Sequence, residues 1–188
     1  GLTATPERLD GKGLDGLFDR MVQVDARIAD LIDQGRLARV RYVTPVNPHE
    51  WELAVQGADF APKAITKCMR ALASQIVGAW MRHAFDRRRT AVFCASTQQA
   101  DELAEEFRGH GINAVSVHAK STAAQREAAL RGFEHGAVQV LVSVDMFIEG
   151  LDLPEVDTVL LARPTMSLRV FLQSVGRGMR AKEDGGDL

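Results

Sequence analysis

Apolar residues along this chain fall into two patterns. Five short runs, Leu37 to Val43, Thr90 to Ala95, Ala114 to Val117, Val138 to Val144 and Thr158 to Ala162, are rich in Val, Leu, Ile and Ala without strict alternation. Strands buried on both faces read this way, because neither face has to meet water. Helix-length amphipathic stretches lie between most of them. Ala100, Leu103, Ala104 and Phe107 follow i, i+3, i+4, i+7, with Ser96 and Gln99 spaced as a capping box in front and Gly109 and Gly111 behind. Thr122 and Gln125 open the next helix in the same relation, and it stops near Gly136. Earlier, Ile65, Met69, Leu72, Ile76, Ala79 and Trp80 share one helical face, which places this tryptophan in the core. Strands alternating with helices predict an α/β fold, a parallel sheet with helices on both faces. Two stretches fit less well. Asp10 to Gly13 reads as a turn before a helix around Gly16 to Leu31. Thr44 to Pro62 is a connector long enough to be either functional or ordered by its aromatics, Trp51 and Phe60.

The length of 188 residues suits one full-sized domain, and 46% hydrophobic with 26% charged residues excludes a disordered or collagen-like chain. Lys and Arg number 23 against 25 Asp and Glu, a net charge of −2, so composition makes no case for nucleic-acid binding and any such contact must be local. No apolar run approaches the roughly 20 residues of a membrane span, and the first residues lack a signal-peptide pattern. A soluble cytoplasmic protein without membrane contact is the expectation. Cys68 and Cys94 sit in apolar surroundings, as inert core thiols do.

Ligands of open parallel sheets bind beyond the carboxyl ends of the strands. After Val144 the chain runs Asp145-Met146-Phe147-Ile148-Glu149-Gly150-Leu151-Asp152-Leu153-Pro154, putting three carboxylates and a glycine at that edge. Gly150 allows a ligand close to the backbone, and Asp152 can accept from a sugar hydroxyl; a helix-capping loop with solvated acids remains the alternative. In the last helical stretch Gln173, Arg177 and Arg180 are spaced i, i+4, i+7 on one face, with Phe171, Leu172 and Val175 free to point inward. Gly176 and Gly178 flank Arg177, each costing about 1 kcal/mol inside a helix, so either something approaches the backbone there or the helix breaks. Arginine suits phosphate because its planar fork donates in pairs and stays charged; a cationic helix end answering its own dipole is the plainer reading.

Other tempting features carry less. Arg87-Arg88-Arg89 precedes a strand and belongs to the opposite, amino edge, as a solvated surface run. Ala114 to Ser121 has the spacing of a phosphate-binding loop, but both required glycines are alanine. Asp101-Glu102-Leu103-Ala104 resembles an acidic magnesium motif but falls inside an amphipathic helix. His118 reads as a strand-end hydrogen-bonding residue, and no histidine has metal-ligand spacing, so no metal site is expected.

Taken together, Leu2-Thr3-Ala4-Thr5-Pro6, Ala91 to Ser96, Val142 to Pro154 and Gln173 to Arg180 (QSVGRGMR) resemble, in order and spacing, the third to sixth motifs of superfamily-two DEAD/DEAH-type helicases. The branch that includes type I and III restriction translocases is the nearest in pattern. The resemblance covers essentially the whole chain. It implies a RecA-like, three-layer α/β/α domain, with residues 1–35 as the tail of a first RecA-like domain and linking segment and 36–188 as the C-terminal RecA-like domain. It further implies that Arg177 and Arg180 act as arginine fingers on ATP held by an N-terminal RecA-like partner domain, with Gln173 orienting that site. Glu149, Gly150 and Asp152 would face the nucleotide. Ser96, Thr97 and Ser143 would contact the nucleic-acid backbone, and Thr3 and Thr5 would couple hydrolysis to it. ATP and Mg²⁺ are the implied cofactors of the full-length protein, and neither is expected to bind this part tightly. Glu149 stands where DEAD-box RNA helicases carry arginine and Gln173 where they carry histidine, which favours DNA over RNA. The phosphate loop and acidic Mg²⁺ motif would lie ahead of Gly1, so the chain is expected to be a piece of a longer protein. A non-catalytic nucleic-acid- or protein-binding module with this fold is the competing expectation. A Rossmann-like nucleotide enzyme is a third, and it lacks its glycine-rich turn.

Overall fold

The structure, a computed structural model, describes residues 27–44, 53–57, 59–144, 156–176 and 178. Along the chain come α1 (Ile28–Asp33), β1 (Val55–Gln56), β2 (Asp59–Phe60), α2 (Pro62–Ala71), α3 (Ala73–His83), β3 (Thr90–Cys94), α4 (Thr97–Gly109), β4 (Ala114–Val117), α5 (Ala123–Glu134), β5 (Val140–Val144), β6 (Thr158–Ala162) and α6 (Leu168–Gly176). Four strands form one parallel sheet in the order β4-β5-β3-β6. In register, Thr90 faces Val140 and Thr158 at one end, and Cys94 faces Val144 and Ala162 at the other, so the carboxyl ends finish nearly flush. This is the expected α/β architecture.

Alternation along each strand divides the apolar side chains between two faces. Val92, Cys94, Val140, Val142 and Ala162 pack against Val77 and Trp80 of α3 and Ala100, Leu103, Ala104 and Phe107 of α4. Ala91, Phe93, Val117 and Leu141 pack against Ala129 and Phe133 of α5. β3 and β5 are therefore covered on both faces, which is why their runs carry no polar alternation, while β6 is half-buried up to Ala162. Trp80 is 3% exposed; its indole N–H donates to Thr90 Oγ1 at 2.9 Å, and its ring meets Phe107 edge-on at 5.4 Å. The bond removes the cost of burying an indole donor unpaired. Cys94 is a core thiol, and burial pushes it well above its ordinary range; Cys68 is half-buried on α2, not in the core as expected, and partial burial raises it too.

Helix ends follow their sequence signals closely. Thr122 and Gln125 make the full reciprocal capping box. Ser96 Oγ accepts from Gln99 N at 3.2 Å, but the Gln99 side chain passes the cap and accepts from Ala95 N instead. Gly111 and Gly136 end α4 and α5 with φ of +77°, a conformation that costs a residue with a Cβ.

Several expectations are corrected. Leu37 to Val43 forms no strand: only Leu37 makes an isolated bridge, and Tyr42 is 69% exposed. Arg39 and Arg41 interrupt its apolar run, and Val40, Tyr42 and Thr44 instead line a 590 Å³ cavity with Trp80, Leu160 and Phe171. The long helix with one apolar face is two helices, α2 and α3, broken at Leu72 (φ −103°, ψ 1°). The connector from Thr44 to Pro62 contains the antiparallel pair β1–β2, turned at Gly57 with φ of +67°. The helix around Gly16 to Leu31 is described only from Ile28, where α1 runs two residues past Leu31; the rest lies outside the described residues. Arg87 to Arg89 does sit at the amino edge, where Asp157 accepts from the backbone N–H groups of Arg88 (2.8 Å) and Arg89 (3.1 Å). Among the described residues no helix is long and apolar enough to cross a membrane.

Phe107 is fully buried between α3 and the sheet. Phe107→Ala is expected to lower unfolding free energy by about 3–5 kcal/mol, and Tyr42→Ala by less than about 0.5 kcal/mol, measured by urea denaturation.

Candidate functional site

The flush carboxyl edge gathers the β3–α4 loop, the β6–α6 loop and the start of α2. Ser96 stands at the N-terminus of α4, where helix amides are unpaired and the dipole favours an anion. Its Oγ accepts from Gln99 N and lies 2.9 Å from the Thr66 hydroxyl of α2, which also stands 2.9 Å from Pro62 O and has a single proton to give. Thr97, half-buried, is the first residue of α4. These two expected contact residues are brought together at the edge. Ser143, the third, is 2% exposed, and its hydroxyl donates to Val92 O at 3.1 Å inside the sheet. As placed it braces β5 against β3 and offers no surface group.

Gln99 ties this loop to the next. It is 2% exposed, and its amide donates to Ala162 O at 2.5 Å while its carbonyl accepts from Ala95 N at 2.9 Å. The start of α4 and the end of β6 therefore share one buried side chain. Beyond Ala162, Asp59 of the β1–β2 hairpin collects the β6–α6 loop. Its Oδ2 accepts from Thr165 Oγ1 (2.7 Å), its Oδ1 accepts from Met166 N (2.8 Å) and Phe60 N (2.8 Å), and Arg163 Nη2 lies 3.6 Å away. Burial opposes ionisation of Asp59, but the hydrogen bonds from Met166, Thr165 and Phe60 and the charge of Arg163 outweigh it, so its pKa is lowered. Thr165 Oγ1 in turn accepts from Ser167 N (3.1 Å), and Ser167 Oγ accepts from Val170 N (3.3 Å), which starts α6.

Gln173 lies exposed on α6, while Val175 is buried. Arg177, Arg180, Glu149, Gly150, Asp152, Thr3 and Thr5 lie outside the described residues. At the far edge of the sheet, His118 Nε2 is 3.0 Å from Asp101 Oδ1, which also accepts from Ser116 Oγ at 2.6 Å. Burial raises the Asp101 pKa, but these bonds and the charges of His118 and Lys120 bring it below its ordinary value. His118 is thus the strand-end hydrogen-bonding residue that its position suggests.

Sequence reasoning missed Asp59, Arg163 and Thr165. One signal was available: Ser167 precedes the apolar run Leu168 to Val175 as an N-cap does, and it marks the helix whose start these residues hold. Nothing local announces Asp59, more than 100 residues earlier in the chain.

Residues 69–182 match the family described as helicase conserved C-terminal domain. The chain is 31% identical over 181 residues to a 51.5 kDa protein of a Lactococcus phage, covering 96% of this chain and 40% of that protein. It is 30% identical over 189 residues to the putative mitochondrial ATP-dependent helicase irc3 of Schizosaccharomyces pombe, covering 100% of this chain and 31% of the relative. The chain thus spans well under half the length of these relatives. Among solved structures, the Escherichia coli DEAD-box protein SrmB bound to the regulator of ribonuclease activity A superposes with a TM-score of 0.53 at 25% identity, over 65% of this chain and 67% of that one. A DEAD box protein from Methanococcus jannaschii gives 0.53 at 22% identity over 59% of this chain and 30% of that one, a likeness of fold.

Because the folded Asp59 pKa lies below its unfolded value, its contribution is present above the ordinary carboxylate range and lost as pH falls through the folded value. Asp59→Asn is expected to destabilise the domain at neutral pH, with the gap to the parent closing below about pH 4. Denaturant unfolding at neutral pH and in acid checks this; a gap independent of pH would contradict it.

Proposed function

The chain belongs to the helicase conserved C-terminal domain family, and on that premise we propose that it is the C-terminal RecA-like half of an ATP-dependent nucleic-acid helicase or translocase. What carries the reading is one juxtaposition. The loop with Ser96 and Thr97 and the helix that presents Gln173 leave the same carboxyl edge, joined through Gln99. A nucleic-acid contact and a nucleotide contact on one rigid frame are what coupling hydrolysis to movement requires.

In this reading Arg177 and Arg180 follow α6 and donate to the terminal phosphate of ATP bound with Mg²⁺ on an N-terminal RecA-like domain. Two fixed guanidinium groups would stabilise charge on the transferring phosphoryl group, and Gln173, one turn before Arg177, would orient it. Glu149, Gly150 and Asp152 would face the nucleotide, and Thr3 and Thr5 would couple the domains. Ser96 and Thr97 would hold the sugar-phosphate backbone through hydroxyls and α4 amides, giving affinity without reading sequence. Glu149 and Gln173 favour DNA as the track.

In the longer protein, Arg177→Ala is expected to lower stimulated ATP hydrolysis about a thousandfold, with ATP affinity changed far less; unchanged turnover would remove the finger role. The chain without its partner domain should not turn over ATP at the rate of the longer protein. Paired Ser96→Ala and Thr97→Ala substitutions should weaken binding several-fold on every sequence, without changing the slope of affinity against salt, because hydroxyls release no counterions. Titration of labelled DNA and RNA at several salt concentrations checks both this and the preference for DNA.

A further inference from the structure

Helix α6 is nine residues long, about 13 Å at 1.5 Å per residue, and leads directly to Arg177 and Arg180. Its direction is set at its start, where the chain leaves β6 through Arg163, Pro164, Thr165, Met166 and Ser167. The feature holding that start comes from elsewhere in the sequence. Asp59, on a two-residue strand of the β1–β2 hairpin, accepts from Thr165 Oγ1 and Met166 N and stands beside Arg163, so one carboxylate reaches three of these five residues. The chain of bonds continues inward: Thr165 Oγ1 accepts from Ser167 N, and Ser167 Oγ accepts from Val170 N in the first turn.

We propose that Asp59 is a positioning residue for α6, the helix that carries Gln173 and that Arg177 and Arg180 follow in sequence, acting through Thr165 and Ser167 without touching nucleotide. The inference rests on the finger role of Arg177 and Arg180. A rigid helix transmits displacement of its first turn to its last, and misplacing a catalytic group by about 1 Å can cost on the order of a hundredfold in rate. The hairpin is not hydrogen-bonded into the central sheet, and its Phe60 lines the cavity beside Leu160 while its Asp59 turns to the β6–α6 loop. Asp59 carries charge where it meets two N–H groups, a hydroxyl and a guanidinium; charged acceptors make hydrogen bonds roughly twice as strong as neutral ones. Arg163, 3.6 Å away, offsets the charge, so the pair carries no net charge.

The test uses the longer protein containing this chain together with its ATP-binding domain. Asp59→Ala and Thr165→Val are expected to lower the kcat of nucleic-acid-stimulated hydrolysis by about ten- to a hundredfold, while the dissociation constants for a fluorescent ATP analogue and for nucleic acid stay within about twofold. Thr165→Ser keeps the hydroxyl that links Asp59 to Ser167 and should retain most of the rate; it also serves as the folded control if Asp59→Ala proves too unstable. In the Arg177→Ala/Arg180→Ala background, adding Asp59→Ala should cost less than about twofold, because there is no guanidinium left to misplace. A merely structural role would instead multiply, and such additivity, or an unchanged kcat in Asp59→Ala, overturns the inference alone. A double arginine variant at full rate would overturn the finger reading together with it.

Discussion

Parallel pairing is the constraint on which the rest of this structure depends. Four strands running the same way must be joined by three return crossovers, and with Cys94, Val144 and Ala162 in line the strand-to-loop exits open on one edge. Among the described residues the opposite edge receives helix-to-strand entries, such as Arg87 to Arg89 before β3. One edge thus collects helix N-termini with unpaired amides, and the other collects returning chain. The chemistry concentrates at the first for a reason of topology, whatever ligand it serves.

An edge built from loops still has to be rigid to place groups on a phosphate. Here the rigidity comes from polar side chains that are buried or half-buried and fully engaged. Gln99 bridges the start of α4 to the end of β6, and Asp59 bridges the hairpin to the start of α6. Such a network stabilises when complete and costs about 1–3 kcal/mol for each buried group left without a partner, so alternative loop arrangements are penalised sharply. Ser96 sits in that frame with inward contacts to Gln99 and Thr66, and Gln173 rides on the helix it orients. The proposed coupling between nucleic acid and nucleotide therefore needs no long pathway: the two loops already share Gln99 and the end of β6.

What could be read in advance follows the same physics. The four strands of the sheet, both helix caps and the core place of Trp80 were legible because each depends on residues within one turn or one run. Leu37 to Val43 was read as a strand because its propensity is real, but a strand needs a neighbour's ladder, and β-propensity cannot report whether one is available. The break at Leu72 escaped notice because the apolar face continues through it; helix periodicity registers side chains and is blind to a backbone that turns tighter for one residue. The resemblance alone pointed to Ser143, and the strand buries it on the face of Leu141 with its hydroxyl donated to the backbone oxygen of Val92. Asp59 was invisible for a different reason: its partners lie more than 100 residues away, and no local pattern encodes a contact of that range.

Net charge is the quantity most easily misread in this chain. A balance of −2 would count against a phosphate-binding protein if charge acted as a sum, but several charged groups among the described residues are spent on one another. Arg163 stands by Asp59, Arg70 pairs with Glu102, Arg108 with Glu105, and Asp157 is occupied by the backbone of the arginine run. Exposed pairs of this kind add little to stability, but they flatten the long-range field. What remains at the carboxyl edge for an anion is short-ranged: hydroxyls, helix amides and, in the proposed reading, two arginines at the end of one helix. On that reading, a motor that must release its track at every step is better served by contacts of short range and fixed geometry than by a strong uniform potential. In the proposed reading the near-neutral composition and the fastening of α6 by Asp59 belong together, with position supplying what charge does not.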